Sequence, residues 1–180
     1  TTPHNPTGAI LSEPDIREIG HLALQHDLWI ISDEVYEDLV FSETTFTSAL
    51  VIPEITDRVI VVSSISKSHA APGFRSGWCI GPKDFTSRLL PLSETMLFGN
   101  QPFIADMTEA AVRDGSPVAA EMRRRFAARA EVLQGRLSTD PKLSVHRPEA
   151  GMFALINVTG TGMNGDQYAA HLLEHGGVAV

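Results

Sequence analysis

Two continuous apolar runs constrain this chain more than any other feature. "LWIIS" (28–32) and "RVIVVSS" (58–64) are each too short for a helix and apolar on both faces, so each reads as a strand buried between layers. Helical patterns separate and follow them. Ser12 with Asp15 three residues later forms a capping-box-like start, with Pro14 in the first turn. Ile16, Ile19, Leu22 (or Ala23) and His26 then keep helical spacing to about Asp27. Residues 34–39 read as a helical turn and "GWCIG" as a further strand closed by Gly81 and Pro82. Helices are predicted over 84–97, 101–113 and 117–138, the last with an apolar stripe of Met122, Phe126, Ala130, Leu133 and Leu137. Two strands follow near 143–146 and 151–157, then a helix at 165–175 and the start of a strand at "VAV". Such alternation implies an α/β chain with a largely parallel sheet.

Bulk properties narrow the function. A net charge of −8 argues against a nucleic-acid surface, and no apolar run is long enough to span a bilayer. The one cysteine, Cys79, excludes an intrachain disulfide framework, fits a reducing compartment and reads as a small core residue of its strand. Thr1 is not an initiator methionine, and "HGGVAV" reads as a strand just begun, so a piece of a longer polypeptide is expected.

In parallel sheets, ligands bind beyond the carboxyl ends of the strands. Asp33 and Lys67 both fall at such ends, and Asn5 in "HNPTG" is expected there too. A lysine amine near hydroxyls and a guanidinium suits a carbonyl ligand that also carries a phosphate, and pyridoxal phosphate is the common one. Lys67 offers the amine; Ser64, Ser66 and Arg75 suit the phosphate. Asp33 would hold the pyridine nitrogen protonated, while Tyr36 and Asn5 would reach the ring oxygen.

"HNPTG", "SDEVY" and "SISKSHAAPGFRSGW", in this order, resemble the pyridoxal-phosphate aminotransferases of class I/II, and the resemblance runs over essentially all of the chain. It implies a dimer whose subunit pairs a large three-layer α/β/α domain with a smaller lobe; 1–140 would be part of the large domain and 141–180 the start of the second. It implies that Lys67 is the Schiff-base lysine, that Asp33, Tyr36 and Asn5 hold the ring, and that Ser64 and Arg75 hold the phosphate, with Ser66 beside them. It also implies an antiparallel "GWCIG" strand and a cis Asn5–Pro6 bond. Ser76 departs from the pattern, which has an aliphatic residue there. "HDLWIISDEVYEDLVF", "SKSHA", "MLFGNQPFIAD" and "RPEAGMFAL" are similar to the arginine–pyruvate transaminase subgroup.

The resemblance thus implies a cytoplasmic homodimer that moves an amino group from an amino acid, arginine in that subgroup, to a 2-oxo acid such as pyruvate. A carbon–sulfur β-lyase of the same fold, or the ligand-sensing domain of a transcription regulator, would use the same cofactor residues. The family's glycine-containing phosphate loop, ring-stacking aromatic and substrate-carboxylate arginine lie in parts with no counterpart here, so this segment alone is expected to bind cofactor poorly and to be inactive. Other motifs read blandly. "GTGMNG" (160–165) is a polar connection with no acidic residue about 20 positions on. His171 and His175 are polar positions on a terminal helix, so no metal is expected, and "RRR" (123–125) is a wet helix face. His69 reads as a loop histidine near the pocket.

Overall fold

The structure, a computed structural model, describes residues 1–41 and 44–180. Helix α1 (Glu13–Gln25) starts as its sequence predicts. Ser12 Oγ accepts the Asp15 N–H, the Asp15 carboxylate accepts the Ser12 N–H at 3.0 Å, and Pro14 sits in the first turn. The chain then returns as β1 (Ile30–Asp33), which lies parallel to β2 (Val59–Ser64) with Asp33 opposite Val62. Helix α2 (Ile65–Ser68) follows at once. Next, β3 (Gly77–Ile80) runs antiparallel along β2 with Gly77 opposite Ser64, as the resemblance implies.

The sheet order is β1-β2-β3. One sheet face is covered: Val59 and Val61 pack with Ile16 of α1 and with Ala49, Ile52 and Ile55 of the β1–β2 connection. Gly20 allows that approach, since a Cβ there would stand 2.5 Å from Ile55 Cγ2. Burial of these β-branched side chains, worth about 1.5–3 kcal/mol each, is what fixes the strands beneath α1.

The remaining helices are α3 (Lys83–Leu97), α4 (Pro102–Asp114) and α5 (Ala119–Leu137). The predicted stripe of α5 is half-buried throughout, whereas Arg124 and Arg125 are exposed and pair with Glu121, holding its carboxyl down at about 2. Beyond α5 lie β4 (Ser144–Val145) and β5 (Ile156–Asn157), an antiparallel pair, then α6 (Gly165–His171) and a π-helical turn, Leu172–Gly176.

Four expectations are corrected. Ile31 of β1 is 68% exposed and Trp29 50%, because α3 reaches that side of the sheet near Phe85, which meets Trp29 at 5.8 Å, and leaves Ile31 open, so "LWIIS" is buried chiefly on one face. Residues 34–39 form a turn followed by a 3-10 segment, Glu37–Leu39, rather than one α-helical turn. Residues 178–180 form no strand, having no neighbour to pair with among the described residues. Cys79 is half-buried, since β3 covers β2 while its own outer side stays partly open.

Candidate active site

The parallel pairing of β1 and β2 sets their carboxyl ends on one edge, and the candidate residues gather there. Asp33 closes β1, and its backbone carbonyl accepts the Thr2 N–H at 3.0 Å, which draws the amino-terminal segment to the same edge. That segment turns tightly, with His4 N–H to Ala9 O at 2.8 Å and Gly8 N–H to His4 O at 2.7 Å, presenting Asn5 at the surface; the Asn5–Pro6 bond is cis. One carboxylate oxygen of Asp33 accepts the Val35 N–H at 3.2 Å, folding the chain back so that Tyr36 comes beside it.

Tyr36 is buried, with its ring edge-on to Phe153 at 6.1 Å. Burial, then the charge of Asp33, raises its phenol above the ordinary range, while a hydrogen bond with Asn5 acts the other way. The balance leaves the phenol above its ordinary range, with the Asn5 side chain beside it. Lys67 Nζ lies 6.0 Å from the centre of the same ring. Among the described residues no carboxylate is within ion-pair distance of Lys67. Asn5, Asp33, Tyr36 and Lys67 thus converge from three segments.

Short polar bonds hold Lys67 in place. Ser64 begins α2, its hydroxyl accepting the Ser66 N–H at 3.3 Å. At the other end, the Ser68 carbonyl accepts from Ser116 Oγ at 2.5 Å, tying α2 to the start of α5. His69 bonds Ser68 Oγ through Nδ1 at 2.8 Å and the Ala111 carbonyl through Nε2 at 3.1 Å. A carbonyl only accepts, so Nε2 carries a proton. His69 is therefore a brace between α2 and α4. Ser64 and Ser66 are half-buried beside Lys67 in sequence. Arg75 joins this edge through its backbone, two residues before Gly77, the partner of Ser64. Its guanidinium is exposed and donates to the Pro72 carbonyl at 2.9 Å.

Several residues that matter here carry no motif signal. Glu34 is buried, accepting from Ser32 Oγ at 2.9 Å and from the Ala49 N–H at 3.1 Å, so it ties the β1 end to the core. Glu37 accepts from Ser63 Oγ at 3.1 Å, and burial, eased by that bond and reinforced by Asp38 and Glu34, raises its carboxyl. Alternation places Glu34 on the same strand face as Ser32, the one hint the sequence offered. Arg123, expected on a wet face, instead reaches the Asp38 carbonyl at 3.3 Å, because the end of the 3-10 segment lies under α5. His171 and His175 stack at 4.4 Å, with His175 Nδ1 bonded to the His171 carbonyl. Gly160 of "GTGMNG" packs on Lys142, where a Cβ would stand 2.7 Å from its carbonyl oxygen.

The sequence pattern described as Aminotransferase class I and II matches residues 1–180. The chain belongs to this family. Two aminotransferases illustrate the kinship. An arginine–pyruvate transaminase of Pseudomonas aeruginosa is 36% identical over 179 residues, 99% of this chain and 45% of its own length. An aspartate aminotransferase of Streptomyces avermitilis is 34% identical over 158 residues, 87% of this chain and 39% of its own length. The crystal structure of the aromatic aminotransferase from Pyrococcus horikoshii OT3 superposes with a TM-score of 0.91 at 27% identity, covering 99% of this chain and 48% of that one. The α/β fold is therefore that of the class I and II aminotransferases, and the chain spans under half the length of the relatives it matches. Among the described residues no helix is long and apolar enough to cross a membrane.

Proposed function

We propose that this chain carries the lysine-bearing part of a pyridoxal-phosphate-dependent aminotransferase. The observation that carries the reading is the convergence at one sheet edge. Among the described residues Lys67 has no carboxylate partner, and its amine stands 6.0 Å from the ring of a phenol that feels the charge of Asp33 and lies beside Asn5. This donor set fits a small phosphorylated pyridine aldehyde. Lys67 would hold the aldehyde carbon, Asp33 the pyridine nitrogen, Tyr36 and Asn5 the ring oxygen, and Ser64, Ser66 and Arg75 the phosphate. When bound, pyridoxal phosphate supplies the electron sink that makes an α-proton acidic.

The chain's own residues then have definite tasks. Asp33 would face the pyridine nitrogen and favour its protonated form. Tyr36 keeps its proton and donates, because burial and Asp33 both oppose the phenolate. Lys67 Nζ would take the proton from the substrate α-carbon and return one, as general base and acid. The β2–α2 junction holds that amine at one place through both events.

For the whole protein we propose transfer of an amino group from an amino acid to a 2-oxo acid, with arginine and pyruvate as the first pair to assay, since the 36%-identical relative bears that name. We assign residues 1–140 to a large cofactor-binding domain and 141–180 to the start of a smaller lobe, and expect a cytoplasmic homodimer. The test is direct. Full-length protein mixed with pyridoxal phosphate should develop an absorbance band near the visible edge, and should form alanine from arginine and pyruvate; Lys67→Ala should lose both. No band in the unmodified protein would overturn the reading, and thiol release from an S-alkyl cysteine without amino transfer would replace it with a β-lyase. The 180 residues alone should show no turnover.

A further inference from the structure

Ser76 stands buried between Arg75 and Gly77, and the structure gives it two partners. The hydroxyl is 5% exposed, yet it is not stranded. Asn100 Nδ2 donates to it at 3.1 Å, and Thr108 Oγ1 lies at 2.7 Å. Both partners are themselves fixed. Asn100 Oδ1 accepts the Gln101 N–H at 3.0 Å, which turns its amide nitrogen toward Ser76. Thr108 Oγ1 also bonds the Ile104 carbonyl one helical turn back, at 2.7 Å. The connection before α4 and α4 itself therefore grip a single serine on the strap that leads into β3.

That strap carries Arg75. Its φ of +52° is a left-handed backbone, which a β-carbon disfavours, so neighbours must hold it. On one side Gly77 is pressed against β2, where a Cβ would stand 2.7 Å from the Ser63 carbonyl oxygen. On the other side stand the bonds to Ser76. The guanidinium has its one side-chain hydrogen bond, among the described residues, within its own strap, to the Pro72 carbonyl. Backbone pose, rather than side-chain anchorage, decides where the guanidinium can reach.

We propose that Ser76, gripped by Asn100 and Thr108, is a positioning residue that sets Arg75 for the cofactor phosphate, so that α4 tunes the grip on that phosphate. This rests on the reading in which Arg75 holds the phosphate. An aliphatic residue at 76 would keep the packing and leave the Asn100 amide and Thr108 hydroxyl facing an apolar group, which loosens the strap on its α4 side.

The experiment uses the full-length protein and two probes, pyridoxal phosphate and pyridoxal, which lacks the phosphate, with affinities read by absorbance titration. Ser76→Val should weaken pyridoxal phosphate by about tenfold and leave pyridoxal within about twofold, while Ser76→Thr should stay near the parent. Arg75→Ala should weaken pyridoxal phosphate at least as much, and adding Ser76→Val to it should change little, because residues that act through one contact are not additive. Should Ser76→Val fail to fold, Asn100→Ala and Thr108→Val take its place, each with about threefold weaker pyridoxal phosphate binding and unchanged pyridoxal binding. Equal weakening of both probes, or a full Ser76→Val effect in the Arg75→Ala background, would reduce Ser76 to a packing role and overturn the inference. A strong Arg75→Ala effect beside a silent Ser76→Val sinks the inference alone. A silent Arg75→Ala sinks it together with the phosphate assignment beneath it.

Discussion

Between Ile16 and Ile65 the chain buries Ile16, Ala23, Tyr36, Leu39, Ala49, Ile52, Ile55, Val59, Ile60, Val61 and Ile65; beyond Ile80 the buried apolar side chains are Ala119, Pro148 and Ala150. Helices α3 and α4 have no buried residue, and Phe98 between them is 94% exposed. Yet both regions are apolar in sequence. In the first, a helix, a sheet face and the 49–55 connection close on one another, so the contacts that fix the fold lie within it. In the second, Leu90, Leu92, Met96 and Leu97 of α3 and Phe103 of α4 stay exposed, and what is covered on these helices is only partly so. The candidate site sits at the boundary: Asp33, Tyr36 and Lys67 hang from the packed region, while Ser116, Ala111, Asn100 and Thr108 brace it from the open one.

The comparison can be broken by substitution. The largest effect should come at the boundary. Lys67→Ala in the full-length protein should lower amino transfer by about 10²–10⁴-fold or more, read in steady-state kinetics, with the urea midpoint little changed. Within the packed region, Ile55→Ala should cost about 2–5 kcal/mol in urea unfolding, since it empties space at a side chain 2% exposed. Gly20→Ala should cost about 1–3 kcal/mol, because the new methyl meets Ile55 at 2.5 Å. By contrast, Leu97→Ser on the bare face of α3 should stay within about 0.5 kcal/mol. If Leu97→Ser were as costly as Ile55→Ala, the contrast between the regions would be false.

A pH series sharpens the same comparison at its smallest scale. The Glu37 carboxyl is raised in the folded chain, chiefly by burial. A raised acid binds its proton more readily folded than unfolded, so its contribution is fully present below the ordinary carboxylate range and fades as pH rises through the folded value. Glu37→Gln keeps an acceptor for Ser63 and carries no charge. It should raise stability by about 0.5 kcal/mol at pH 7 and by nothing near pH 3, read from urea midpoints. An equal effect at both pH values would remove Glu37 from this account.

Much of this was legible because local rules and global packing agree. Ser12, Pro14 and Asp15 announced α1; β-branched runs announced β1 and β2; and polar residues just past those runs announced the edge where Asn5, Asp33, Tyr36 and Lys67 meet. What stayed hidden depended on partners distant in sequence. Ser76 finds Asn100 and Thr108 across a helix, His69 finds Ala111, and Arg123 finds Asp38, none at a spacing that a helix or strand period would reveal. Ile31 misled for a related reason: an apolar strand states that it can be covered on both faces, not that both covers lie within the same stretch of chain. Tyr36 comes beside Asp33 through a carboxylate-held turn rather than the helical turn expected over 34–39.

Gly8 carries a mechanical consequence. It has a φ of +70°, its space is filled by Pro148 and Ala150, and its carbonyl accepts the Glu149 N–H at 3.0 Å. Phe41 N–H reaches the Glu149 carbonyl at 2.8 Å, and Gly151 N–H the Leu39 carbonyl at 3.0 Å. The loop that presents Asn5 and the stretch flanking Tyr36 are thus laced to the same four residues that lead into β5. Any swing of the carboxyl-terminal portion about that lacing must tug on Asn5 and Tyr36 at once, gearing the posture of one end of the chain to the candidate site at the other.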